Sequence, residues 1–152
     1  RWMINLSVDT QNLSSSTNEE HLTKVFNEML VLVEYSFDVS VEEIRGPISF
    51  WTPTPDNEVE ELELFGIIDI GDQTTALQKI IHLTHETGHV IYDMDGLFKG
   101  TKDVMFSESL AWYLGYHFMV EHGYTIEMSE YEKELEFALK LYRWSENDRD
   151  VE

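Results

Sequence analysis

The sequence predicts a small α+β domain in which a short, twisted, mostly antiparallel or mixed sheet packs against helices. Its 152 residues, 42% of them hydrophobic, are enough to build one hydrophobic core. Segments such as Ile48–Thr52 and Ile67–Ile70 are short, apolar and bounded by turn residues, which is typical of strands. Longer stretches repeat apolar residues at helical spacing. We therefore expect a single domain over residues 1–152.

The first third of the chain predicts a strand followed by a helix. Met3–Val8 has the composition of a strand. Thr17 and Glu20 have the spacing of a capping box, with Thr17 as the N-cap of a helix that runs to about Tyr35. Residues 37–45 fit a helix and a strand equally well.

The middle of the chain predicts further strand structure before a long helix. Glu58–Leu64 alternates acidic and apolar residues, which indicates a strand with one solvent-exposed face. Ile67–Ile70 continues that strand or pairs with it, and Gly66 marks a bulge or a turn. Asp72 or Thr74 is expected to cap the helix that follows.

Two more helices are predicted after this long helix and the loop Asp93–Lys102. Ser107–Glu121 is apolar enough for a buried helix, and Gly123 ends it. Ser129 begins a second capping box, and the helix after it runs through Tyr142.

Charge and composition exclude several classes of protein. The net charge of −20 disfavours nucleic acid and anionic lipid as partners. No apolar run reaches the roughly 18 residues of a membrane span, and the absence of Cys excludes disulfides and thiolate zinc sites. We expect neither a nucleic-acid nor a membrane partner. An acidic inhibitor that mimics DNA remains a hypothesis that the charge itself suggests.

One stretch, HETGH at residues 85–89, has the pattern of a metal site. On a helix, His85 and His89 point the same way one turn apart, so both imidazoles can bind one Zn²⁺. Glu86 then lies beside the metal, where a general base is needed. Gly88 costs about 1 kcal/mol of helix propensity relative to Ala, which a closely approaching backbone would explain.

A catalytic zinc usually has a third protein ligand, and three residues after His89 are candidates. Asp95 has the spacing of the third ligand in metzincins, but Tyr92 stands where those proteins need Gly. Asp103 ends the sequence GTKD, which is similar to the GTxD of aspzincins at a longer spacing. Glu108 begins a helix, and an antiparallel helix can bring it beside the HExxH turn.

A second motif supports Glu108. Phe106–Leu114 (FSESLAWYL) resembles the gluzincin pattern (W/F)-x-E-G-x-A-x-Y of thermolysin-like and peptidase-MA-like proteins, with Ser109 in place of Gly. Together with Ile81–Val90, which contains HExxH, it identifies the chain as similar to gluzincins. The resemblance implies a zincin-like domain in which the active-site helix packs against the helix that bears Glu108.

The resemblance also implies a function, that of a zinc metallopeptidase. In it, His85, His89 and Glu108 hold the zinc and Glu86 is the general base, so the expected partner is a peptide or protein substrate. If the strand Glu61–Ile70 is the edge of the sheet, an extended substrate can add to it. The alternatives are a non-catalytic zincin-like binding module and the acidic DNA mimic, in which the motif is incidental.

Two supporting roles are predicted with less specific signals. Gluzincins often stabilise the oxyanion with a downstream Tyr or His, and Tyr116, about 80° from Glu108 on a helix, is preferred among the candidates. These are Tyr113, Tyr116, His117 and Tyr124. Asp93 is a candidate acceptor for the second N–H of His89.

Small residues and further histidines complete the prediction. Ala111 and Gly115 follow Glu108 at helical spacing, so this helix is expected to pack closely against the motif helix. His82 and His122 are expected to be spectators.

Overall fold

The computed structural model describes residues 10–95 and 104–150. Helices make up most of it and two small sheets a smaller part, so the predicted α+β class is confirmed. The predicted strand Met3–Val8 and the candidate ligand Asp103 lie outside the described residues. The elements in chain order are β1 (Gln11–Leu13), α1 (Glu19–Phe37), β2 (Val39–Ile44), β3 (Phe50–Pro53), α2 (Val59–Leu62), β4 (Gly66–Gly71), α3 (Ala76–Met94), α4 (Val104–Glu121), β5 (Tyr124–Ile126) and α5 (Met128–Asp150).

The larger sheet is mixed and has β4 at its centre, in the order β2-β4-β3. β2 runs parallel to β4, with Val41 opposite Ile68, and β3 runs antiparallel to it, with Trp51 opposite Ile68. The expectation that the strand around Glu61–Ile70 forms the sheet edge is therefore wrong, because both sides of β4 are paired. Among the strands that the structure describes, β2 and β3 are the edges of this sheet.

The smaller sheet joins distant parts of the chain. β1 pairs in parallel with β5, and Leu13 lies opposite Ile126. Both side chains are buried, so this pairing ties the segment before α1 to the turn between α4 and α5.

The predicted cap of α1 is displaced by one residue. Asn18 is the N-cap, and its Oδ1 accepts hydrogen bonds from the backbone N–H groups of Glu20 and His21. Thr17 Oγ1 instead accepts a hydrogen bond from the N–H of Ser14 at 3.0 Å. Thr17 and Asn18 can both cap a helix, and the preceding turn uses Thr17.

The N-cap of α3 is Thr75, not the expected Asp72 or Thr74. Thr75 Oγ1 accepts from the backbone N–H of Gln78, and Gln78 Oε1 accepts from the N–H of Thr75, which completes a capping box. Thr74 donates its hydroxyl to a carbonyl one turn earlier instead.

Two further predictions are wrong. Glu58–Leu64 is not a strand: a short 3₁₀ turn leads into α2, which ends at Glu63 in the left-handed conformation with φ of 53°. Ser129 lies inside α5, which begins at Met128, and its hydroxyl donates to Glu127. In both cases the polar residues fit more than one local structure.

The core lies between the larger sheet and the helices α1, α3 and α4. Fully buried aliphatic side chains from the sheet and the first two of these helices fill it, among them Val25, Met29, Ile68, Ile80 and Ile81. Within the described residues, no helix combines the length and the apolar character that crossing a membrane requires.

Candidate metal centre

The helices α3 and α4 cross with their backbones in contact. A Cβ atom at Gly88 would overlap the carbonyl oxygen of Ala111, and one at Gly115 would overlap the carbonyl oxygen of Thr84. The expected close approach at Gly88, and the expected close packing through Ala111 and Gly115, are therefore confirmed. The crossing brings the first turns of α4 onto the histidine face of α3.

Three side chains meet at this crossing. His85 Nε2 lies 2.9 Å from Glu108 Oε1, and His89 Nε2 lies 2.8 Å from Glu108 Oε2. The two Nε2 atoms are 3.1 Å apart. The candidate ligand atoms of the three residues all lie within 4.8 Å of one another, and Glu108 is buried.

The spacing of these atoms is close to that of a tetrahedral zinc site. Zinc–nitrogen and zinc–oxygen bonds of about 2.0–2.1 Å place neighbouring ligand atoms roughly 3.3 Å apart in a tetrahedron. The three separations in the cluster, of which the two to Glu108 end on different carboxylate oxygens, are a few tenths of an ångström shorter. Two imidazoles and one carboxylate are also the donor set of His₂Glu zinc sites, so the residues fit the ion.

The electrostatics of the cluster favour a cation. Burial acts to lower the pKa of His85, but the carboxylates of Glu86 and Glu108 outweigh it and raise the pKa to about 9. Burial acts to raise the pKa of Glu108, but its hydrogen bonds with His85 and His89 outweigh it and lower the pKa to about 2. The buried carboxylate is thus held as an anion and attracts positive charge.

The neighbours of His85 fix its orientation. The Trp112 ring stacks on the imidazole with centroids 4.3 Å apart and an interplanar angle of 15°. Trp112 is itself held by Tyr131, whose hydroxyl donates to the Trp112 carbonyl at 2.6 Å. Glu86 Oε2 lies 3.3 Å from His85 Nδ1, and Glu86 lines the same cleft as the cluster. Both packing and charge therefore turn the Nε2 of His85 toward Glu108.

The cluster lies in a cleft of about 800 Å³. Residues of α3, α4 and α5 line it, together with β3 and the residues before that strand. Trp51 of β3 donates its indole N–H to Asp93 Oδ2 at 2.6 Å, which fastens this edge strand to the C-terminal part of α3.

A second contact fastens the start of β3 to α3. Ser49 Oγ accepts a hydrogen bond from the N–H of Gly71 at 3.0 Å and lies 3.1 Å from His82 Nδ1. Burial lowers the pKa of His82, although the charges of Glu134 and Glu86 act in the opposite direction. His82 lines the cleft and is not part of the described His85–His89–Glu108 cluster.

The structure brings together four of the five predicted site residues: His85, Glu86, His89 and Glu108. The fifth, Tyr116, packs against Tyr131 with ring centroids 5.1 Å apart and is not among the described residues that line the cleft. The helical angle favoured Tyr116, but the close crossing of α3 and α4 turns its face of α4 into the core.

Two other candidates have different roles. Asp95 is the exposed C-cap of α3 and does not join the described metal-binding cluster. Asp93, a candidate acceptor for His89, instead accepts the indole hydrogen bond of Trp51. The role of Asp93 could not be predicted from its spacing on α3, because it depends on where β3 lies.

Sequence reasoning missed most of the residues that line the cleft, among them Ser49, His82, Trp112 and Glu134. The signal for His82 was present, since it precedes His85 by three residues and shares its helix face. Ser49 and Glu134 reach the cleft only through the tertiary placement of β3 and α5.

Comparisons of this chain with protein-family models, with curated proteins and with solved structures gave no match.

Proposed function

We propose that this protein is a zinc-dependent peptidase of the gluzincin type, which hydrolyses peptide bonds in the cleft between α3 and β3. The observation that carries the proposal is the His85–His89–Glu108 cluster, whose ligand atoms have nearly tetrahedral zinc spacing beside the carboxylate of Glu86. The zinc, when bound, supplies Lewis acidity that activates water and polarises the scissile carbonyl.

Glu86 and Trp112 have separate roles in the proposed reaction. Glu86 accepts the proton of the attacking water and delivers it to the departing amine, so that a C–O bond replaces the C–N bond with no net change in protons. Its location in the cleft supports this role. Trp112 stacks on His85 and keeps the imidazole from rotating away from the ligand position.

The edge strand β3 has outward-facing backbone groups with which an extended substrate can pair. The N–H of Thr54 donates to the carbonyl of Phe65 on the β4 side, so alternation along an antiparallel pair turns the N–H and C=O of Trp51 outward. Pro53, which has no N–H to offer, also occupies an outward position, as edge prolines do. A peptide paired with Trp51 would lie along the metal cluster.

The test is zinc content and peptide hydrolysis measured on the same preparations. Wild type and Glu86→Gln are expected to hold about one zinc per chain, and Glu108→Ala much less, because Glu108 is a proposed ligand and Glu86 is not. Hydrolysis of a quenched fluorescent peptide library should fall by about 10²-fold or more in Glu86→Gln. Glu132→Gln, an exposed charge change on α5, is the matched control.

Other outcomes would redirect the assignment. Zinc bound without hydrolysis under any condition would favour the non-catalytic zincin-like module. Failure to bind zinc after reconstitution would contradict the peptidase and leave the acidic surface as the feature to explain. In that case, salt-sensitive binding of a basic protein would favour the DNA mimic.

A further inference from the structure

The cleft contains one carboxylate that the proposed metal centre does not use. We propose that Glu134 binds a cationic side chain, Lys or Arg, of the peptide that occupies the cleft. This inference rests on the proposed function, since it names the class of substrate that the same site accepts.

The surroundings of Glu134 leave its charge available. Its Oε1 accepts a hydrogen bond from Gln78 Nε2 at 3.2 Å, which fixes the carboxylate at the cleft wall. Within the part of the chain that the structure describes, no Lys or Arg forms an ion pair with Glu134. A carboxylate held in this way is a strong acceptor for an ammonium or guanidinium group.

The charges that line the cleft add to this preference. Its described lining contains Glu86, Glu108 and Glu134 and no Lys or Arg. The first two lie within 3.3 Å of the imidazoles of His85 and His89, whereas Glu134 stands where α5 meets the first turn of α3. A partly enclosed cleft lined by one sign of charge concentrates the opposite charge.

The same end of the cleft has apolar surface for the stem of a basic side chain. Phe137 and Ala138 follow Glu134 on α5 and line the cleft, as does Phe50 on β3. Phe137 and Phe50 are 62% and 45% exposed, so both rings have area left to cover. Methylene groups pack on such surface while the charged end reaches the carboxylate, and a guanidinium also stacks on aromatic faces.

The distance from the metal cluster limits where the basic residue stands in the substrate. Gln78, the partner of Glu134, precedes His85 by seven residues on α3, a rise of about 10 Å. An extended peptide covers that distance in about three residues. The basic residue is therefore expected within about three positions of the scissile bond.

The direction of β3 decides between two sources of positive charge. Ser49 contacts His82 and Trp51 contacts Asp93, so β3 runs in the same direction as α3. A substrate antiparallel to β3 then runs toward Glu134, which faces its C-terminal side. The cation there comes from a side chain, whereas a free amino terminus would reach Glu134 only in a parallel orientation.

The experiment measures peptide binding without turnover. Zinc-loaded Glu86→Gln protein is titrated with acetylated fluorescent peptides that carry Arg, or its neutral isostere citrulline, at each of three positions on either side of a fixed centre. The same titrations use the double variants with Glu134→Gln and Glu134→Lys. Glu136→Gln, an exposed charge change on the same helix, is the matched control. Peptides without Arg are compared with free and with acetylated amino termini.

We expect Arg peptides to bind about tenfold tighter than citrulline peptides, with a preference that shrinks as salt is added. Glu134→Gln should abolish the preference, Glu134→Lys should reverse it, and Glu136→Gln should retain it. A Glu134-dependent preference for a free amino terminus over Arg would overturn the side-chain assignment. Equal affinity for Arg and citrulline, or no binding of either, would overturn the proposal as a whole.

The two proposals fail separately. Glu134-dependent binding of Arg peptides by a protein that hydrolyses nothing would retain the cation site and contradict the peptidase. Hydrolysis by wild type with equal kcat/KM for Arg and citrulline substrates would retain the peptidase and contradict the cation site.

Discussion

Replacing Gly88 by Ala tests whether the close helix crossing builds the metal site. The new Cβ would lie 2.5 Å from the carbonyl carbon of Ala111 and closer still to its oxygen. Because ordinary contacts between carbon atoms are about 3.5–4.0 Å, α4 must move away from α3 by about 1 Å or more. Glu108, now 2.8–2.9 Å from the histidine nitrogens, would move with it.

The expected magnitude follows from two opposing effects. Overpacking of this kind lowers the free energy of unfolding by about 1–3 kcal/mol. The higher helix propensity of Ala raises it by about 1 kcal/mol. We expect Gly88→Ala to lower the free energy of unfolding by up to about 2 kcal/mol and zinc affinity by at least about tenfold.

Urea denaturation and competitive zinc titration measure the two quantities. Ser109→Ala, on the exposed side of α4, is the control and should change neither by much. A Gly88→Ala protein that is about 1 kcal/mol more stable with unchanged zinc affinity would refute the reasoning. That result would mean that helix propensity dominates and that the crossing is not tight.

Two further predictions concern stability. The pKa of His85 is raised from 6.5 to about 9 and that of Glu108 is lowered from 4.5 to about 2. The stabilisation of the chelator-treated protein by this cluster is therefore complete between about pH 4.5 and 6.5, and it is lost as pH rises through 9 or falls toward 2. Urea denaturation midpoints measured across this pH range test the prediction. His85→Gln should lack the loss of stability at alkaline pH. Identical pH profiles for wild type and His85→Gln would contradict the prediction. Trp51→Phe removes the hydrogen bond to Asp93 and should lower the free energy of unfolding by about 1–2 kcal/mol, whereas Asp93→Asn, which keeps an acceptor, should cost less.

The His85–His89–Glu108 cluster was largely predictable because its parts are encoded locally. His85 and His89 lie on one helix face by spacing alone, and the cost of Gly88 within a helix correctly indicated a neighbouring backbone. The resemblance of the second motif added Glu108, which spacing had left among three candidates. A helix pair with small residues at its crossing has few ways to pack, so these local signals also predicted the contact between α3 and α4.

The lining that β3 and α5 contribute to the cleft was not predictable in this way. Trp51 and Asp93 are 42 residues apart, and Glu134 and Gln78 are 56 apart. Such contacts depend on which strand forms the edge of the sheet and on the direction of α5, and neither has a local signal. The alternation that suggested a strand at Glu58–Leu64 misled because a seven-residue pattern also fits a turn and a short helix.

Zinc K-edge X-ray absorption on the zinc-loaded protein tests the central claim most directly. The account predicts a four-coordinate spectrum with scattering from two imidazoles and with first-shell distances near 2.0–2.1 Å. It also predicts that Glu108→Gln loses affinity or changes the first shell, whereas Asp95→Asn leaves both unchanged. A spectrum without imidazole scattering, or one that changes with Asp95 and not with Glu108, would contradict the proposed centre.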